Sequence, residues 1–472
     1  MEKRGILWDH PMILLYECGF VKEVVAMNQT LKDYARYASL NVLGMIGLSC
    51  YILADTFFVS LGMGANGLTA LNLAIPVYNF INGAGLMIGM GGGTKYSIAQ
   101  SQKDGKTANQ VFTHAAMLTI SVAMIFFLVG VFGTETLVRA LGADAQVFDM
   151  SRTYLRVLLM FAPMFMMNNL LLCFVRNDGS PQLSMAAMIT GSLSNVVLDY
   201  VFIFPMGMGI FGAAFATGLA PIISMGVLST FFIKKKNHFK LTRCRIRLGR
   251  LWGILSSGVP SFVTEASSGI VMIVFNQIIL GLEGNTGVAA YGVIANLSLV
   301  VVAIYTGISQ GIQPILSRNY GMGNRKSVLD ILRYAMLTML AISAVVYGVV
   351  FFGADQIAAI FNSEGDAALQ AIAVKGLKYY FTAVAFAGFN IILSVYYTST
   401  EYVRPAYVIS LLRGFILIIP MAFTLSRLFG ITGVWCAFPA TEGLVALIGL
   451  GIYVYSAERK RKIKNKSRQT LV

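Results

Sequence analysis

Two aspartates stand at the edges of long uncharged stretches. Asp199 separates the uncharged runs Gly179–Leu198 and Tyr200–Ile233, and Asp55 immediately precedes the uncharged run Thr56–Thr94. At membrane depth an ionised carboxylate costs several kcal/mol unless it is paired or wetted, with roughly 2.5–3.5 kcal/mol the lower figure at a helix centre. Such residues are functional candidates by default. Asn195 precedes Asp199 by four residues, so the two share one helix face a turn apart. Asn169 and Thr217, in neighbouring apolar runs, complete a set of five oxygen-bearing side chains. An oxygen-rich cluster with two carboxylates suits a small hard cation or a titrating proton. Asn169, Asn195 and Thr217 equally suit a plain role tying helices together, whereas burying the aspartates demands more, because charge is harder to bury than an amide.

Other charged residues within apolar runs leave two readings each. Glu265, after Pro260, is either a second carboxylate facing a cavity or a wetted group near a cytoplasmic helix end. Glu442 and Arg413 can pair with each other, as a buried structural ion pair or as part of the coupling chemistry. Lys95 and His114 are expected near a cytoplasmic helix end, in solvent. The 24 Met and 31 Phe are mainly packing or lipid-facing residues, although those lining a cavity would suit apolar cations. Gly91-Gly92-Gly93 is no phosphate loop, since no Lys-Ser/Thr follows at the required spacing. Five scattered cysteines, Cys18, Cys50, Cys173, Cys244 and Cys436, form neither a disulfide framework nor a metal motif. No catalytic triad, HExxH or Walker pattern is present, so no enzyme and no cofactor is expected, with H⁺ or Na⁺ the only ion called for.

The elements that hold these residues must be membrane helices. Of 472 residues 57% are hydrophobic and only 12% charged, against about 25% charged in a soluble domain. Soluble enzymes, disordered chains and disulfide scaffolds are excluded. A spanning helix needs about 20 apolar residues, and twelve such segments are expected at 39–61, 67–92, 110–133, 154–175, 182–203, 209–233, 254–282, 287–316, 331–353, 376–398, 405–426 and 431–456. The net charge of +15 lies in loops after even-numbered spans: Lys103 and Lys106; Arg176; Lys234 to Arg250; Arg318, Arg325 and Lys326; Arg404; and the tail Arg459 to Arg468. Loops after odd-numbered spans are poor in basic residues, and Asp355, Glu364 and Asp366 make one of them acidic. Lys/Arg excess marks the cytoplasmic side, so both termini and the central loop are expected in the cytoplasm of a cell-membrane protein. Basic runs flanking apolar spans contact anionic lipid rather than nucleic acid. Residues 1–36, with Trp8, Asp9, His10, Glu17 and Glu23, lack the pattern of a cleavable signal. The expected organisation is a cytoplasmic segment 1–36, spans one to six within 37–233, a basic linker 234–252, spans seven to twelve within 253–456, and a basic tail 457–472.

The two sets of six are a duplication. Gly64-Ala65-Asn66-Gly67 aligns with Gly284-Asn285-Thr286-Gly287 at a separation of 220, Gly209-Ile210-Phe211-Gly212 with Gly430-Ile431-Thr432-Gly433 at 221, and Pro181 with Pro405 at 224. Six is even, so the halves share one orientation, as in parallel-repeat transporters that bind substrate between halves and alternate access by rocking. Asp55 falls opposite Phe275, and Asp199 opposite Phe423. Only the first half keeps both carboxylates.

With Ala54-Asp55-Thr56-Phe57-Phe58-Val59, Arg176-Asn177-Asp178-Gly179-Ser180-Pro181, Asn195-Val196-Val197-Leu198-Asp199 and Gly209-Ile210-Phe211-Gly212-Ala213-Ala214 leading to Thr217, the chain resembles the multidrug and toxic compound extrusion (MATE) transporters. Within them it is similar to the DinF-like branch that includes MepA-type drug exporters. The resemblance covers about residues 37 to 456. It implies an all-α, V-shaped pair of six-helix bundles, expected as a monomer, exporting organic cations in exchange for inward Na⁺ or H⁺. It further implies that Asp55, Asn195, Asp199, Asn169 and Thr217 form the coupling-ion site of the first lobe. Glu265 is shifted from the position the family would lead one to expect. Two other readings compete: a lipid-linked oligosaccharide flippase of the same superfamily, which needs a strongly cationic cavity, and an integral-membrane lipid-modifying enzyme, which needs a clustered nucleophile or metal site.

Overall fold

The computed structural model describes residues 19–362 and 365–469, with side chains between 29 and 456. Trp8, Asp9, His10, Glu17, Cys18 and Glu364 lie outside the described residues, as do the side chains of Glu23 and of the basic tail. Every described element is a helix. Eight are long and apolar enough to span a membrane, and the pair Phe148–Met160 and Ala162–Asn177, bent by 46°, forms a ninth span. Three of the eight are each broken at one glycine outside helical geometry: Gly64, Gly284 and Gly430. Each broken helix is two spans, which makes twelve. We number them α1 (19–63), α2 (65–101), α3 (Gly105–Phe132), α4 (the bent pair), α5 (Pro181–Ile203), α6 (Gly209–Ile233), α7 (248–283), α8 (285–321), α9 (Arg325–Phe361), α10 (367–399), α11 (403–429) and α12 (431–469). The connections left between the expected spans at 62–66, 283–286 and 427–430 are therefore elbows of a single residue. At Gly64 (φ 61°, ψ −154°) and Gly284 (φ 62°, ψ −154°) the backbone occupies a region essentially reserved for glycine.

The duplication is written into the geometry beyond the sequence anchors. Asp104 caps α3 by accepting from Thr107 N, and Asn324, 220 residues on, caps α9 by accepting from Ser327 N. These side chains satisfy amides that a helix start leaves without partners. The α4 bend lies at Phe161; 220 residues later α10 tightens into a 3₁₀ turn over Phe381–Ala383. The Gly209 and Gly430 turns both have positive φ.

The halves meet along α1 and α2 of one and α7 and α8 of the other, most closely at the end that carries the linker. Small residues let the backbones approach, as is common between membrane helices. A Cβ on Gly91 would lie 2.0 Å from Ile254 O, and one on Gly258 1.8 Å from Met87 O, so α2 and α7 interlock reciprocally. On the other side Gly311 approaches Tyr37 O and Gly307 approaches Val42 Cα. Gly91 and Gly311 are repeat equivalents, so the two contacts obey the same pseudo-twofold relation. Lys95 pairs with Glu401 (2.5 Å) and Arg318 with Asp33 (2.7 Å) across the same end. Farther from the linker, Asn79 donates to Ser268 Oγ (3.2 Å), and Gly269 packs against Pro76.

The linker is docked on the first half rather than loose in solvent. Phe239 is fully buried among Tyr96, Phe112, Phe174, Phe231 and Phe232. The backbone amides of His238, Lys240 and Thr242 donate to Asp178, Asn109 and Thr113. Burial pushes the Asp178 carboxyl up, while hydrogen bonds from the Tyr96 hydroxyl and from His238 pull it down. One expectation is corrected here. His114 is buried beneath the linker, its Nε2 accepting from Arg247 N at 3.2 Å. Lys95 remains partly exposed while it pairs with Glu401.

Candidate functional site

A cavity of about 450 Å³ lies between the halves, within the size range of sites for drug-sized molecules. Asp55 and Thr217 line it, with Asp199 and Asn195 directly behind and fully buried. Asn195 takes the amide orientation that satisfies both neighbours: its Nδ2 donates to Asp199 Oδ2 (3.0 Å) and its oxygen accepts from Thr217 N (3.3 Å). The four-residue spacing on α5 thus acts within one helix face, and the contact to Thr217 ties α5 to α6. Asp55 reaches the same place from α1, close enough for the two carboxylates to repel each other, with Tyr154 of α4 beside both. Asp55 Oδ1 and Asp199 Oδ1 are buried without a hydrogen-bond partner. Two carboxylate oxygens facing inward from a polar nest are what a proton or Na⁺ requires, and either would remove the repulsion.

Asn169 belongs to a different chain of contacts. Its Nδ2 donates to Asn82 Oδ1 (2.8 Å), and Asn82 Nδ2 donates to Glu265 Oε2 (3.2 Å). This relay crosses from α4 through α2 to α7, joining the halves along the cavity wall. Glu265 is among the residues that line the cavity. In the second half Arg413 donates from Nε (3.1 Å) and Nη2 (2.7 Å) to Glu442 Oε1, and Asn390 Nδ2 donates to Oε2 (2.7 Å). Arg413 sits in a π-helical turn, Leu412–Ile416, a feature that often marks functional positions in helices.

The profile of the family described as MatE matches residues 42–201 and 260–424, one stretch in each half. The chain belongs to the MatE family. This MatE chain is 26% identical over 434 residues to the multidrug export protein MepA of Staphylococcus saprophyticus, covering 92% of this chain and 95% of that one. It is 25% identical to MepA of Staphylococcus aureus strain MRSA252, covering 87% and 90%. Among solved structures it superimposes with a TM-score of 0.85 on an outward-facing multidrug resistance MATE family transporter of the MOP superfamily, and of 0.84 on a MOP superfamily transporter from Pyrococcus furiosus. Both are 23% identical and cover 92% of this chain and 97% of theirs.

Of the five residues singled out in the sequence, this MatE fold brings Asp55, Asn195, Asp199 and Thr217 together, and sets Asn169 on the Glu265 relay. Asn82 and Tyr154 carry no distinguishing sequence signal, since an amide or a phenol inside an apolar run resembles any helix-tying group. Arg176, expected among the loop charges, is not a loop residue. It is 1% exposed, reaches the cavity wall, and donates to Asn41 Oδ1 (2.6 Å) and Gln310 Oε1 (3.1 Å). The Arg-Asn-Asp-Gly context disguised it, because such a string looks like a solvated turn.

Proposed function

We propose that this MatE chain is a secondary antiporter of the bacterial cell membrane, exporting drug-like organic cations in exchange for inward H⁺ or Na⁺. The observation that carries this reading is the buried Asp55–Asp199 pair, with two unpartnered oxygens, at the wall of a drug-sized cavity between the lobes. Export of multiple drugs is what the names of the MepA relatives describe for those proteins, and the basic linker and tail favour a cytoplasmic linker side. The contacts that interlock the halves lie at that side, so this conformation is the outward-accessible one. In it, H⁺ or Na⁺ enters at Asp55 and Asp199, supported by Asn195, Thr217 and Tyr154. Neutralising them removes the negative potential that holds a cationic drug near the first lobe, and the drug leaves outward. Rocking of the lobes then exposes the site to the cytoplasm, where the ion is released and the next drug binds. Glu265 and Glu442 also face the cavity. Glu442 is neutralised by Arg413, which leaves Glu265 as the carboxylate available to a cationic substrate. With Arg413 paired, Arg176 is the one arginine left at the cavity wall without a carboxylate partner among the described residues, less positive charge than a pyrophosphate-lipid flippase needs.

The test is efflux of a cationic dye from proteoliposomes under an H⁺ or a Na⁺ gradient imposed separately. One gradient is expected to drive flux in the wild type, and Asp199→Asn to abolish it while the purified protein keeps its thermal unfolding transition. Gradient-independent dye movement, or undiminished flux in D199N, overturns the assignment.

A further inference from the structure

We infer that the docked linker is a membrane anchor that binds anionic phospholipid, with Arg243, Arg245 and Arg247 on the phosphates and Leu241, Ile246, Leu248 and Trp252 between the lipids. A basic run alone marks a side of the membrane, whereas here the fold fixes each side chain at the lipid boundary. The surface is separate from the cavity, so it holds whichever ion or drug the lobes exchange.

The depth of the linker follows from α3. Its 28 residues make a helix of about 42 Å, the thickness of a bilayer with its headgroup regions, of which about 30 Å is hydrocarbon. The linker lies along the second and third turns of that helix: Lys240 N donates to Asn109, Thr242 N to Thr113 and Arg247 N to His114. Residues 109–114 stand about 6–14 Å in from the helix start, where headgroups give way to hydrocarbon. Exposed apolar side chains on α3 begin one turn farther on, at Met117 and Ile120. The linker therefore runs within the interface and not above it.

Docking also decides what the linker presents. Phe239 is buried, and Thr242 and Cys244 turn toward α3, with Cys244 Sγ 3.8 Å from His114 Nδ1. Arg243, Arg245 and Arg247 alternate with them and are exposed. None of the three has a carboxylate partner among the described residues, and residues 234–250 hold eight Lys and Arg and no acid. Leu241, Ile246, Leu248 and Trp252 are interleaved with or adjacent to these arginines and are 61–79% exposed, although all four lie outside the apolar runs expected to span. An anionic leaflet satisfies both sets: the apolar groups enter the acyl boundary, Trp is favoured at that level, and each guanidinium fork matches a phosphate. A soluble polyanion would meet the charges and leave the apolar side chains uncovered.

Brominated phospholipid quenches a tryptophan that it touches, so Trp252 reports on this surface. The full-length protein in phosphatidylcholine nanodiscs is titrated with brominated phosphatidylglycerol or, separately, brominated phosphatidylcholine, and the quenching that Trp252→Phe removes is read. A basic side chain near an anionic surface is worth roughly fivefold in affinity, so the wild type is expected to be half-quenched at a roughly hundredfold lower fraction of phosphatidylglycerol than of phosphatidylcholine. That preference is expected to weaken as salt is raised, to vanish when Arg243→Gln, Arg245→Gln and Arg247→Gln are combined, and to survive in large part when the same three become Lys. Equal quenching of the wild type by both lipids overturns the proposal without recourse to any variant, as does a preference that neither salt nor the triple Gln variant reduces. Capture of a polyglutamate peptide or an oligonucleotide by the wild type and not by the triple Gln variant, with no preference between the lipids, would mark the row as a docking surface for a soluble partner and overturns it equally. Should the triple Gln variant lose its thermal unfolding transition, the salt dependence and the Lys variant decide the matter.

Discussion

Glu442 shows how closely a charge must be accommodated at this depth. It is 2% exposed, with Arg413 on one carboxylate oxygen and Asn390 on the other. Removing one member of such a pair leaves the other charge uncompensated and costs about 3–5 kcal/mol, whereas replacing both by apolar groups of similar size is nearly neutral. Arg413→Met is therefore expected to lower the thermal unfolding temperature in detergent markedly, and the double substitution with Glu442→Leu to recover most of the loss. At this scale the sequence was readable wherever a charge interrupted an apolar run, which is why Asp55, Asp199, Glu265, Glu442 and Arg413 stood out. It was not readable where the decisive neighbour is remote. Nothing near Arg176 in the chain reveals that Asn41 and Gln310, each more than a hundred residues away, close over it. Nor does anything near Asn169 reveal that its amide turns to Asn82 instead of Asp199.

Among the elements, the two elbows at Gly64 and Gly284 carry a matching prediction. Nothing lies within 4 Å of a Cβ built on either glycine, so alanine there pays only for backbone conformation, about 1–3 kcal/mol. Gly64→Ala and Gly284→Ala are expected to destabilise to a similar extent, and the double variant by nearly the sum, since the elbows belong to separate lobes; thermal melts of the three proteins decide it. Gly258 acts differently. A side chain there would collide with Met87 O at 1.8 Å, so Gly258→Val is expected to hold the lobes apart at the linker side. Spin labels on the linker-side ends of α2 and α7 should then report a longer distance than in the wild type. The twelve spans were legible as apolar runs because each must satisfy its backbone internally in lipid. The one-residue elbows were not, since a glycine-rich cluster announces a break without saying how short it is.

For the molecule as a whole, the linker is a fastening as well as a connection. Phe239 fills an aromatic pocket of the first lobe, and truncating a buried phenylalanine costs about 3–5 kcal/mol. Phe239→Ala is expected to release the segment, seen as faster tryptic cleavage among Lys234, Arg243 and Arg247 than in the wild type. Charge counting placed this segment on one side of the membrane, but could not show it docked, because docking depends on pockets that exist only once α2, α3, α4 and α6 have assembled.

The duplication has a further consequence at this scale. Where the first lobe has Asp55, the second has Phe275, fully buried and stacked on Tyr291 at 5.7 Å, with Tyr291 stacked in turn on Trp435 at 6.1 Å. The position equivalent to Asp55 is filled by stacked aromatic rings. Under the proposed exchange this limits the stoichiometry: a molecule built from two copies of one bundle has a single counter through which ions pass, so each drug leaves against the load of one lobe.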